Sequence, residues 1–226
     1  MKIEVRRITD PDLWRECAEM TSGKPCKMSW LDMLKTGHSP IREQRYLIKF
    51  YDIPQFVTGH IIRHDKFANV FVRSKRTDRG GEDFRKRCTD MAELLFQEEE
   101  YVTSVMPESD VDDIKNTINC VVSGLMNLPK QFDRFAPSSF AFDVNAEEII
   151  NISKARLCCK ASQETREIWQ QVLNLLEEID PALVSLCNRP CVWHGFCREK
   201  KPCGYMASDN YIAIRKMFVE QFKPKF

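Results

Sequence analysis

The sequence predicts an α+β fold. Three observations carry this reading. Segments of strand character sit early and the strongest amphipathic helix sits late. Between them the residue period switches from alternation to helical spacing. No Pro-, Gly- or Ser-rich linker interrupts the 226 residues, so a single domain over 1–226 is expected, with a cysteine-rich tail at about 187–205. A chain of this length buries one substantial core. Its composition, 43% hydrophobic and 30% charged, is that of an ordinary globular protein.

Taken in order, "MKIEVRRIT" reads as a first strand. "DPDLWRECAEM" reads as a helix with Asp10 as N-cap and Pro11 at its first position. "GKPCKMSWLDMLKTG" ends in a short helix stopped by Gly37. Arg42 to Ile53 is β-branched and aromatic with partial alternation, hence a strand. Pro54 ends it and opens a helix on which Phe56, Val57, His60, Ile61 and His64 recur. "RTDRGGED" reads as a loop, and the stretch from about Arg85 to Met126 as an insertion with helix, Ser109 capping its second part. "SSFAFDVN" is a strand and "AEEIINISKARLCC" a helix. "ASQETREIWQQVLNLLEEI" is the clearest helix, its core stripe being Ile168, Val172, Leu175, Leu176 and Ile179. Asp180–Pro181 restarts a further turn, and the segment from Asn188 to Tyr205 is irregular.

The net charge of +1 excludes a global attraction to nucleic acid or to an acidic membrane. Any anion site must be local. The N-terminal stretch is too charged for a secretory signal, and no apolar run approaches the roughly 20 residues that cross a bilayer. A cytoplasmic protein is expected, with its ten cysteines as thiols, metal ligands or redox centres rather than structural disulfides.

Positive charge concentrates in "GHIIRHDKFANVFVRSKRTDRGG", Gly59 to Gly81. His60 and His64 either share a metal or point into a polar cleft beside Arg63, where they donate to an anion. Ser74 and Arg76 combine a hydroxyl with a bidentate guanidinium, an arrangement suited to phosphate or to a solvated loop. In "VNAEEIINISKARLCCKASQETREI", Asn145, Asn151 and Arg156 are polar groups on a helix whose other residues read as buried. They either satisfy nearby backbone or face a heterocycle and an anion. Cys187, Cys191, Cys197 and Cys203 are spaced more widely than a zinc knuckle and read as packed thiols or as weak zinc ligands. No GxSxG, Walker, GxGxxG or kinase signature is present.

These two constellations, in this order, resemble the flavin-dependent thymidylate synthases (ThyX). The family signature R-H-R-x-x-S-x-N-E-x-S-x-R-Y is similar to "RHDKFANVFVRSKRT" with one residue inserted. Arg63 and His64 match its opening pair, and Ser74 and Arg76 its later S-x-R. "GHSPIRE" resembles the upstream GH…P…E segment and places His38 on a flavin position. His60 falls where the family often has a nucleotide-contacting Gln. "VNAEEIINISKARLCCKASQETREI" resembles the downstream V-N-A…N…L-R segment. The chain departs from the pattern at Asp65, at Phe71–Val72, which replace the N-E pair, and at Thr77.

The resemblance implies a ThyX-like mixed sheet packed against long helices. It implies FAD as cofactor, with His38, Arg63, His64, Asn145 and Asn151 contacting it. It assigns a pyrimidine deoxynucleotide monophosphate to His60, Ser74, Arg76 and Arg156, with Arg76 and Arg156 at the reaction centre. NADPH and methylenetetrahydrofolate would be co-substrates, and the assembly a homotetramer with shared sites. The implied reaction is one-carbon transfer to C5 of dUMP. The departures leave hydroxymethylation of dUMP or dCMP open as an alternative. So is a non-catalytic, zinc-containing nucleotide- or nucleic-acid-binding protein on the same fold.

Overall fold

The computed structural model describes residues 1–64, 69–73, 84–105, 107–132 and 137–223. The loop expected at 76–83 therefore lies outside the described residues. The chain parts into two compact units, one holding the sheet and most helices, the other formed mainly by 73–137.

The first unit is built on a sheet of order β1-β2-β4-β3. Its strands are β1 (Lys2–Arg7), β2 (Arg45–Pro54), β3 (Asn69–Val72) and β4 (Pro137–Asn145). β1 pairs antiparallel with β2, Val5 opposite Ile48. β3 pairs antiparallel with β4, Phe71 opposite Ala141. Burial along β2 and β4 alternates with period two, which fixes the register because a slip by one residue would expose the whole apolar set. Tyr46, Ile48 and Phe50 on β2 and Phe140, Phe142 and Val144 on β4 are buried. Phe50 stacks on Phe140 with ring centroids 4.7 Å apart. Arg45 clamps Asp143 with two hydrogen bonds of 3.0 and 2.6 Å, tying β2 to β4.

The helices of this unit are α1 (Leu13–Ser22), α2 (Trp30–Thr36), α3 (Gln55–Ile61), α6 (Ala146–Arg156), α7 (Gln163–Glu177), α8 (Pro181–Ser185), α9 (Pro190–His194) and α10 (Asp209–Glu220). The second unit is a helical hairpin of α4 (Phe84–Val105) and α5 (Glu108–Phe132), which pack on each other and bury Cys88, Ala92 and Val122. It coincides with the expected insertion.

Four local expectations change. Asp10 does not cap α1. Its carboxylate accepts from the Asp12 amide at 2.8 Å, and the helix starts two residues later, with Asp12 as N-cap. Ser109 lies inside α5 rather than capping it, and its hydroxyl donates to Asp110. α3 ends at Ile61, so His64 follows in a turn and does not share a helix face with His60. The tail is not wholly irregular, since Pro190 opens α9. The α7 stripe buries Ile168, Val172 and Leu176, with Trp169 and Leu173, while Leu175 and Ile179 are half-buried.

The core is organised around Asp180, which is 2% exposed. Its carboxylate accepts from Tyr46 Oη at 2.5 Å, Trp30 Nε1 at 2.9 Å and Arg7 Nη2 at 3.0 Å. It also accepts from the Leu183 amide at 2.9 Å, which makes it the cap of α8. Burial, then the charge of Asp180, pushes the Tyr46 phenol far above its ordinary range, so it stays a donor. Removing this acceptor orphans the donors of Tyr46, Trp30 and the Leu183 amide and leaves Arg7 only the Ile179 carbonyl. Asp180→Ala is therefore expected to cost roughly 3–5 kcal/mol in urea unfolding. A cost within 0.5 kcal/mol of zero, the usual range for surface substitutions, would contradict this role.

Candidate functional site

Two chain reversals bring the site residues together. One is the turn that ends α3 and carries Arg63 and His64. The other is the step from β4 into α6. Asn145 caps α6, its side-chain oxygen accepting from the Glu148 amide at 2.9 Å. This is the ordinary way to satisfy a first-turn donor. It also fixes Glu148 in the first turn, where the helix dipole favours a carboxylate.

Glu148 is 3% exposed and is the hub of the site. Nδ1 of His64 lies 3.4 Å from its carboxylate, an ion pair when the imidazole is protonated. Asn151, one turn along α6, donates to the same carboxylate at 3.4 Å. Three of the predicted flavin-side residues, His64, Asn145 and Asn151, thus converge on one buried acid. With Nδ1 turned to Glu148, the His64 ring is oriented, and Nε2 is left buried without a partner among the described residues.

Arg156 closes α6. Burial, then the charge of Arg63, holds its guanidinium below its ordinary value. Two cations thus stand close enough to repel. Nε of Arg156 is buried and has no hydrogen-bond partner among the described residues. A buried N–H left unmade costs about 1–3 kcal/mol. Repelling guanidinia together with orphaned donors suit an anion or an electron-rich carbonyl, such as a phosphate or a flavin ring edge.

The other predicted residues are placed as follows. His60 is anchored by Nδ1 to Thr165 Oγ1 at 2.9 Å, and Thr165 in turn meets Ser162 Oγ at 2.8 Å. His38 is exposed and lines a separate cleft with Lys24, Lys27, Met28 and Met33. No hydrogen bond among the described residues joins it to Glu148. Ser74 and Arg76 lie outside the described residues, as do Asp65 and Thr77. Phe71 and Val72 stand on β3, 62% and 48% exposed.

The four tail cysteines do not gather. Cys187 is buried and bonds the Leu183 carbonyl, and burial pushes its thiol up to about 12. Cys191, Cys197 and Cys203 line a different cavity, with Cys158 and Cys159. Among the described residues no group of three or more His, Cys, Asp or Glu is arranged to hold a metal.

Glu148 and Thr165 were not picked out from the sequence. "NAEEII" carries two adjacent acids at a helix start, which reads as dipole compensation for both. They separate in the structure: Glu147 pairs at the surface with Arg42 at 2.8 Å, while Glu148 turns inward.

No family model and no curated protein matches the chain. Solved structures do. ThyX from Helicobacter pylori, complexed with FAD and dUMP, superposes with a TM-score of 0.54 at 14% identity, covering 84% of this chain and 100% of that one. A second structure of Helicobacter pylori ThyX with FAD and dUMP gives 0.50 at 15% identity, covering 82% and 99%. The chain has the fold of the flavin-dependent thymidylate synthases, as the resemblance implied.

The repulsion between Arg63 and Arg156 predicts an anion response. Inorganic phosphate should raise the thermal midpoint by mass action on the folded state. Arg156→Ala should lose this rise while its ligand-free midpoint stays level or climbs. A ligand-free Arg156→Ala protein that melts well below the parent would show that Arg156 is a structural partner instead.

Proposed function

We propose that the protein is a flavin-dependent enzyme that transfers a one-carbon unit to C5 of a pyrimidine deoxynucleotide monophosphate, with dUMP as acceptor. The observation that supports this most is the repulsion of Arg156 by Arg63 together with the unpartnered, buried Nε of Arg156. The ThyX fold supports it as well, because the structures it matches hold FAD and dUMP.

The residues fit both groups. In this reading Arg156 holds the nucleotide and Arg63 the flavin, and their closeness puts the two ligands side by side. Glu148 keeps the His64 ring oriented, with Nε2 left for a ligand, and Asn151 shares that carboxylate. His60, fixed by Thr165, stands at the nucleotide. The flavin, when bound, supplies hydride chemistry, with NADPH as reductant and methylenetetrahydrofolate as carbon donor. The chain's own residues supply position and charge. No activated nucleophile is needed for this role. A homotetramer completes the reading. The exposure of Val70, Phe71 and Val72 on the edge strand β3 supports an apolar surface meant for a second copy.

The test is direct. The purified protein is incubated with FAD, NADPH, methylenetetrahydrofolate and either dUMP or dCMP, and the nucleotide is weighed. Methylated dUMP is expected, and Arg156→Ala should weaken dUMP binding roughly tenfold or more, the value of a charge-assisted bond. Unmodified dUMP and dCMP in every combination would overturn the proposal.

A further inference from the structure

The cysteine cavity plays no part in the reading above. Its volume is about 190 Å³, and five thiols line it: Cys158, Cys159, Cys191, Cys197 and Cys203. Two of them interact. Cys159, in the turn after α6, and Cys203, on the loop before α10, are close enough for each side chain to shift the other's thiol.

Their surroundings differ in a way that assigns roles. Cys203 is exposed. The Tyr205 backbone amide, then the Cys159 side chain, draw its thiol below the ordinary value and favour the thiolate. Gly204, with φ of 81°, makes the turn that brings that amide round. Cys159 is half-buried, and burial pushes its thiol up. Nη1 of Arg189 lies 3.2 Å from its sulfur, and the same guanidinium stacks on the Tyr205 ring at 3.8 Å. One exposed, stabilised sulfur thus faces one shielded sulfur beneath a fixed cation.

We propose that Cys203 and Cys159 form an oxidisable dithiol, with Cys203 as the attacking sulfur and Cys159 as the resolving one, and with a hydroperoxide as oxidant. The Cys203 thiolate attacks the terminal peroxide oxygen. The O–O bond breaks, the alcohol or water leaves with a proton, and a sulfenic acid remains on Cys203. Cys159 then attacks that sulfur. The S–S bond forms, the S–O bond breaks, and water leaves with the Cys159 proton. Two thiols lose two electrons, and the hydroperoxide gains them. The disulfide ties the loop before α10 to the turn after α6, three residues beyond Arg156, which ends that helix.

The test uses the full-length reduced protein and hydrogen peroxide, followed by intact mass and non-reducing peptide mapping. One equivalent should remove two hydrogens and join the Cys159 and Cys203 peptides. Cys159→Ser should stop at a sulfenic acid on Cys203, captured by dimedone, and Cys203→Ser should give neither product. Near neutral pH, Cys203 should alkylate roughly tenfold faster than the exposed Cys120. Oxidation spread over Cys17, Cys26 and Cys120 would overturn the proposal. So would equal alkylation of Cys203 and Cys120, or zinc that protects Cys159 and Cys203 in the purified protein.

Discussion

Asp180 is buried with a charge that folding must satisfy, and its four donors come from four separate parts of the chain. Arg7 ends the first strand, Trp30 opens the second helix, Tyr46 lies on the central strand β2, and the Leu183 amide begins α8. A carboxylate taken out of water costs several kcal/mol unless each lone pair finds a donor. The four elements therefore reach their places together or not at all. The sheet face, the α1–α2 segment and the end of α7 are locked in register by this one group. Trp14 and Trp30, with centroids 5.2 Å apart, pack beside it.

Glu148 is the second buried carboxylate, and it is satisfied differently. Its partners, His64 and Asn151, both stand at 3.4 Å, long for charge-assisted bonds. Arg156 Nε and His64 Nε2 are buried and have no hydrogen-bond partner among the described residues. At Asp180 the carboxylate itself is met by four donors of the protein, although Nε of its partner Arg7 is left buried without a hydrogen bond among the described residues. Near the end of α6 the unmatched group is Nε of Arg156, whose guanidinium Arg63 repels, so a ligand that brings negative charge there gains what the protein leaves unmade.

Much of the fold was legible because local chemistry and tertiary demand agree. Gly37 ends α2 in the left-handed conformation, Asp180–Pro181 starts α8, and the apolar alternation of β2 and β4 is the buried face. Legibility fails where a tertiary bond decides. Asp10 has the chemistry of an N-cap but bonds Asp12 instead, and its carbonyl takes Gln44 Nε2 at 2.7 Å. β3 is four exposed residues, too short and too bare for a periodic signal. In the site, the motif residues His64, Asn145, Asn151 and Arg156 were readable one by one. Glu148, which joins three of them, was not, because nothing local distinguishes it from Glu147. Its burial comes from the packing of α6, a property of the assembled unit.

The central claim is that Arg63 and Arg156 hold a flavin and a nucleotide side by side. The visible absorption spectrum of protein-bound FAD, followed during titration with dUMP, tests this most directly. The account predicts a saturable change in the flavin bands that Arg156→Ala shifts to higher dUMP concentration. A protein that binds no FAD, or a flavin spectrum indifferent to saturating dUMP, would contradict it.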